Sequence, residues 1–222
     1  MEWWLLSFFK IVIINLILSG DNALVIAMAS RNLPKHLRNK AVFWGSFAAV
    51  ALRIGLTIIA LQLLKIPFLT AFGSILLLWI AVKLINSSED HEKIKGGQTI
   101  HNVVMTIIVA DFVMSIDNVI AIAAVADGNL SLIILGILIS IPFVVFGSQL
   151  VLSLIERIPI IIYLGSGILG FTAGEMLLKD QYMQQFFEPL LPTFTWILPF
   201  ALAILVIVWG WTLKKRSLHA HF

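Results

Sequence analysis

Asn15-Leu16-Ile17-Leu18-Ser19-Gly20-Asp21-Asn22-Ala23-Leu24-Val25-Ile26-Ala27 decides how this chain is read, because it returns as Asp111-Phe112-Val113-Met114-Ser115-Ile116-Asp117-Asn118-Val119-Ile120-Ala121-Ile122-Ala123. Both copies run polar residue, three apolar residues, Ser, any residue, Asp-Asn, then apolar residues ending Ile-Ala. Each sits inside an apolar run long enough to cross a bilayer, which takes about 20 residues. An ionisable group at that depth costs about 2.5–3.5 kcal/mol on insertion scales, so it marks a functional site by default. Two such motifs in matching places point to a cation site assembled from two halves of one membrane protein.

Composition sets the class. The 222 residues are 60% hydrophobic and only 12% charged, against about 25% charged in an ordinary soluble domain. A soluble fold of this size cannot cover that much apolar surface, so the expectation is an all-α polytopic membrane protein with the lipid bilayer as its main partner. The first apolar run carries no A-x-A cleavage site and is read as a retained span. The absence of cysteine excludes disulfides and thiolate metal ligands. The net charge of +3 does not call for nucleic acid, since the basic residues cluster between the apolar runs.

Seven spans are predicted, over about residues 5–29, 41–63, 68–86, 102–126, 130–154, 159–178 and 194–213. Turn chemistry separates them, at Arg31-Asn32-Leu33-Pro34, Ile66-Pro67, Gly96-Gly97, Asp127-Gly128-Asn129, Ile158-Pro159 and Glu188-Pro189 with Pro192. Arg31, Lys35, Arg38, Lys40, Lys93, Lys95, Arg157, Lys214, Lys215 and Arg216 fall on one side, against Lys65 and Lys179 on the other. The positive-inside rule then puts the N-terminus outside and the C-terminus in the cytoplasm, and a bacterial cytoplasmic membrane is the expected location.

The duplication extends beyond the motif. Lys65-Ile66-Pro67 followed by Gly73-Ser74 matches Arg157-Ile158-Pro159 followed by Gly165-Ser166, and Gly55 aligns with Gly147, Ala81 with Ala173 and Lys83 with Glu175. Each copy holds three spans, so the second must be upside down relative to the first. The predicted architecture is one membrane domain: repeat 1 over 5–86, an inverted repeat 2 over 102–178, and an extra C-terminal helix over 194–213. Inverted repeats with a midplane site are the plan of many secondary transporters.

On a straight helix Asn15, Ser19 and Asn22 form one stripe, as do Asp111, Ser115 and Asn118. Asp21 and Asp117 lie about 100° off those stripes, so either a second protein face meets them or the helix opens locally, which Gly20 favours in the first copy. Asp21, Asn22, Asp117 and Asn118 are the expected metal ligands. This all-oxygen set suits magnesium, calcium or manganese. Asn15, Ser19 and Ser115 are candidate ligands too, competing with packing and capping roles. Asp111 reads as a ligand, a proton carrier or a partner of Arg53 or Lys83. Glu175 reads as a metal ligand, a proton site or the ion-pair partner of Lys83, and Arg53 and Lys83 as structural charges. The small residues Gly45, Gly55, Gly147, Gly165, Gly167 and Gly170 read as close helix packing. Trp3, Trp4, Trp196, Trp209 and Trp211 fit interfacial belts, and Glu89-Asp90-His91-Glu92 reads as a solvated loop. No nucleophile–base pair or cofactor fingerprint is present, so neither an enzyme nor a bound cofactor is expected.

The doubled Ser-x-Asp-Asn motif, the repeated three-span units, Glu156-Arg157-Ile158-Pro159 and the size resemble the TerC family of integral membrane proteins, related to the LysE-type exporters. The resemblance spans about residues 1–213. It implies efflux of Mn²⁺ from the cytoplasm, with the family's acidic and amide positions falling on Asp21, Asn22, Asp117 and Asn118. The alternatives are export of another small cationic solute, such as a different divalent metal or an amino acid, and a non-transport membrane stress or interaction protein.

Overall fold

The computed structural model describes residues 9–13, 19–63, 66–86, 99–125, 129–187 and 191–219, all in helices and their connections. After helical residues 9–13 come α1 (Gly20–Ser30), α2 (Lys35–Ile58), α3 (Ala60–Leu63), α4 (Leu69–Asn86), α5 (Ile100–Val125), α6 (Leu130–Arg157), α7 (Ile161–Lys179), α8 (Gln181–Phe187) and α9 (Leu191–His219). No strand occurs among the described residues.

Five stretches there are long and apolar enough to cross a membrane: Lys35–Ile58, Leu69–Asn86, Ile133–Arg157, Ile161–Lys179 and Thr195–Thr212. They coincide with five of the seven predicted spans. The two that carry the motif include residues outside the described set or side chains outside it. The second span begins six residues before the predicted 41, because charged Lys35–Lys40 are already helical. Arg38 explains that start: Nη2 donates to the Arg31 carbonyl at 2.7 Å and Nε to the Leu33 carbonyl at 2.8 Å. The same span ends at Ile58, and α3 takes up its predicted tail.

The helices are inside out relative to a soluble protein. On α2, Phe43, Trp44 and Phe47 are more than half exposed, whereas Ser46, Arg53 and Thr57 are buried. That is the arrangement an apolar solvent imposes, since an unsatisfied polar group costs several kcal/mol in hydrocarbon.

The chain divides into two compact units, Met1–Ile66 with Ile100–Ser153, and Pro67–Thr99 with Leu154–Phe222. Each therefore draws on both halves of the sequence. In the first unit α5 packs against α1, α2 and α3. Gly45 and Gly147 allow close approach there, a Cβ on the first meeting Ile107 and on the second Ala23. Gly55 does not pack as expected: among the described residues nothing lies within 4 Å of a Cβ built there. It stands on the exposed face of α2, one residue away from the inward stripe.

In the second unit α7 packs against α4 and α9. Gly167, Gly170 and Gly174 bring α9 onto α7, meeting Ile207, the Leu202 carbonyl and Pro199. The C-terminal helix thus comes close to the backbone of α7, and Phe171 and Phe200 meet edge to face across the same seam. Asp180, directly after α7, ties this unit together. Its Oδ2 accepts from Thr70 Oγ1 at 2.7 Å and the Ala71 amide at 3.2 Å, and its Oδ1 from the Tyr182 and Met183 amides at 3.0 and 3.2 Å. One carboxylate caps α4 and α8 together. Beside it Phe68, with φ of 57°, stacks on Tyr182 at 5.0 Å between centroids.

Two predictions test this packing. A Cβ at Gly174 would lie 2.5 Å from Pro199 Cα, so Gly174→Ala should destabilise the detergent-solubilised protein by about 1–3 kcal/mol, seen as a lower midpoint of thermal unfolding. Gly55→Ala should bring no loss, and equal midpoints for the two variants would refute the packing account. Burial pushes the Asp180 carboxyl up, but the hydrogen bonds from Thr70 and the Met183, Ala71 and Tyr182 amides outweigh it and hold the group below the usual carboxylate range. Its stabilisation is therefore fully present above the unfolded value of about 3.9 and is lost as pH falls through the lower folded value. Asp180→Ala should lose about 1–2 kcal/mol at neutral pH. The gap from the parent protein should close in acid, and a gap that persists there would rule out the carboxylate as its source.

Candidate functional site

In the first unit the two helices that carry the repeated motif, α1 and α5, pack against one another. They differ in how they carry it. α1 begins at Gly20, inside the first copy, with Ser19 as its N-cap residue. α5 runs through Ser115, Asp117 and Asn118 without interruption. Residues 14–18, just before that start, lie outside the described residues, and α5 shows no boundary at the corresponding place.

Arg53, on the inward stripe of α2, reaches both motif helices. Its Nη2 donates to Asp111 Oδ1 at 2.6 Å, with both side chains more than nine-tenths buried. Its Nε donates to Ser115 Oγ at 3.0 Å, and Nη1 lies 3.5 Å from Ser19 Oγ. Ser115 in turn donates to Asp111 Oδ2 at 3.1 Å. The planar fork of a guanidinium can serve several acceptors at once, which a lysine ammonium could not do in this geometry. Ser19 makes no side-chain cap hydrogen bond to α1; its hydroxyl faces Arg53 instead. Of the partners open to Asp111 in the sequence, Arg53 is the one observed.

Two small cavities adjoin this pair. One, of about 10 Å³, is lined by Asn22, Val25 and Ile26 of α1 and Ile107, Asp111 and Met114 of α5. The other, of about 20 Å³, adds Ser46, Ala49, Val50 and Arg53 of α2 and Ser140 and Val144 of α6 to Asn22, Ile26 and Asp111. That is room for one water-sized species, whose centre needs roughly 10–15 Å³. Ser46 Oγ is buried and has no hydrogen-bond partner among the described residues. Ser140 donates to its own helix, at the Ile137 carbonyl, at 2.7 Å.

Asn22 is buried at the wall of both cavities. Asp21 occupies the first turn of α1, half-buried, and accepts from the Asn22 amide at 2.9 Å. Asn118 is half-buried on α5. The Asp117 side chain and all of Asn15 lie outside the described residues, as do Trp3, Trp4 and Glu89–Glu92. Among the described residues no group of three or more His, Cys, Asp or Glu side chains gathers.

Glu175 and Lys83 belong to the second unit and do not form the expected ion pair. Glu175 stands 3.8 Å from Lys179, one turn along α7, with both side chains well exposed. Lys83 Nζ lies 4.9 Å from the Trp79 ring centroid, on its own helix. Each charge finds a partner within its own helix, so neither needs the other. Ser46 and Ser140 were not singled out in the sequence. Ser46 precedes Arg53 by seven residues, two helical turns on the same face, and that spacing was the available signal. Ser140 gave no comparable signal.

The model of the integral membrane protein TerC family matches residues 1–218. The chain is 45% identical over 198 residues to the uncharacterized membrane protein YjbE of Bacillus subtilis (strain 168), covering 86% of this chain and 91% of that one. It is 26% identical over 168 residues to the uncharacterized membrane protein YceF of the same organism, covering 71% and 64% of the two chains. No solved structure matches the chain. The family match takes in both motif copies and nearly every described helix, and the chain belongs to the TerC family of integral membrane proteins.

Proposed function

We propose that this protein exports a divalent cation, Mn²⁺ first among them, from the cytoplasm across the cell membrane. The observation that carries the reading is the cavity walled by Asn22 and Asp111, one residue from each copy of the motif, inside a buried polar cluster. Asn22, Ser46, Asp111 and Ser140 bring oxygen atoms to these cavities, which suits hard cations, with the Met114 thioether also in the lining. In this reading Asp21, Asn22, Asp117 and Asn118 ligate the ion in passage, with Ser19, Ser115 and Asn15 beside them. Seven spans as two inverted three-helix repeats, with α9 as an appended helix, are the architecture proposed for the carrier.

Export against an inside-negative potential needs a driving force. Each charge moved through 100 mV costs about 2.3 kcal/mol, so a divalent ion costs roughly twice that. Proton antiport supplies it in this proposal. A cationic amino acid is less well accommodated, since its carboxylate would need a free cation and Arg53 is held by Asp111.

The deciding measurement is Mn²⁺ flux in proteoliposomes together with cell-associated metal under manganese excess. Asp21→Asn and Asp117→Asn should keep the protein level and lower flux by about 10-fold or more, since losing even a partner that only orients a metal ligand costs about 10–100-fold. Parent-level efflux in both variants at equal protein level would remove the proposed site. Flux that ignores an imposed pH gradient and carries no opposing proton movement would remove antiport.

A further inference from the structure

The geometry points to Arg53 as a tethered counter-cation that competes with the substrate ion for Asp111. This rests on the proposed export of a divalent cation and adds a residue that governs its binding. Arg53 and Asp111 line the same 20 Å³ cavity, and the guanidinium holds the carboxylate at 2.6 Å with almost no exposure on either side. A buried carboxylate attracts whichever cation reaches it, and two cations beside it repel one another in a medium of low dielectric. A divalent ion can therefore use Asp111 only when Arg53 lets go.

Two features suit the site to that exchange. Ser46 Oγ, buried in the cavity wall with no hydrogen-bond partner among the described residues, is an oxygen donor not committed to Arg53. With Asp111 and the Asn22 amide it gives an incoming hard cation three oxygens from three helices. The contact of Arg53 Nη1 with Ser19 Oγ, at 3.5 Å, marks a direction in which the guanidinium can withdraw. Between turnovers Arg53 returns and keeps Asp111 neutralised without a bound metal. Asp111 then has no need of a proton to remain buried, and proton coupling falls to other groups.

The test is Mn²⁺ affinity of the purified full-length protein in detergent, with folding checked by gel filtration and thermal unfolding. Removing a like charge from beside a buried ion should tighten binding by about tenfold or more. Affinity should rise from the parent to Arg53→Lys, which keeps the charge and loses the fork, and again to Arg53→Gln. Adding Asp111→Asn to Arg53→Gln should abolish the gain. If Arg53→Gln does not fold, Arg53→Met, which likewise removes the charge and keeps an apolar stem, decides in its place. A parent protein that binds Mn²⁺ with folded Arg53 variants binding no more tightly overturns the competition and leaves the export reading intact. If neither the parent nor any folded variant binds a divalent cation, both are overturned.

Discussion

A guanidinium and a carboxylate held against each other inside an apolar medium constrain everything around them. Arg53 and Asp111 cannot face lipid, so α2 and α5 must turn these faces toward one another and set the register in which they pack. Removing one partner of such a pair leaves an uncompensated buried charge, worth about 3–5 kcal/mol. Ser115 closes the arrangement from α5, and Ser19 reaches it from the start of α1. The bulkiest apolar residues of α2, Phe43, Trp44 and Phe47, then take the outward face.

The second unit is joined by a different principle. There the hydrocarbon solvent offers no hydrophobic push between helices, so contact area and backbone approach decide. Gly167, Gly170 and Gly174 supply both by letting α9 lie directly on α7. Asp180 gives this unit a polar link, placed beyond the helix end, where three of its four hydrogen bonds collect amides that would otherwise be orphaned at two helix starts and the fourth comes from the Thr70 hydroxyl.

What the sequence made legible follows from this. Periodicity put Ser115 four residues beyond Asp111 on one stripe, and depth alone marked Arg53 as a charge needing a partner. Choosing between Arg53 and Lys83 as that partner required three dimensions, because spacing along a helix carries no information about a neighbouring one. The pairing of Lys83 with Glu175 came from alignment of the two copies. Equivalent positions meet only where the copies adjoin, and each of these side chains is served by a residue one turn away, Trp79 or Lys179. Five spans were legible from hydropathy, which sees the membrane portion of a helix but not its charged extension, as at Lys35–Lys40. Gly174 escaped notice because its partner, Pro199, lies on a helix outside the repeat.

The contrast between the two units bears on what the ion pair is for. A buried salt bridge is a demanding way to join helices, since replacing one by well-packed apolar residues is often neutral or stabilising. The same chain joins α7 to α9 with glycines and needs no charge to do so. Adhesion alone therefore gives no physical reason for a carboxylate and a guanidinium in the first unit, beside a cavity with an uncommitted hydroxyl in its wall. What an ion pair offers that an apolar seam does not is a bond a third charge can break. A seam of glycines has one arrangement. A carboxylate for which two cations compete, as proposed for Asp111, has two, which is what the proposed carrier requires.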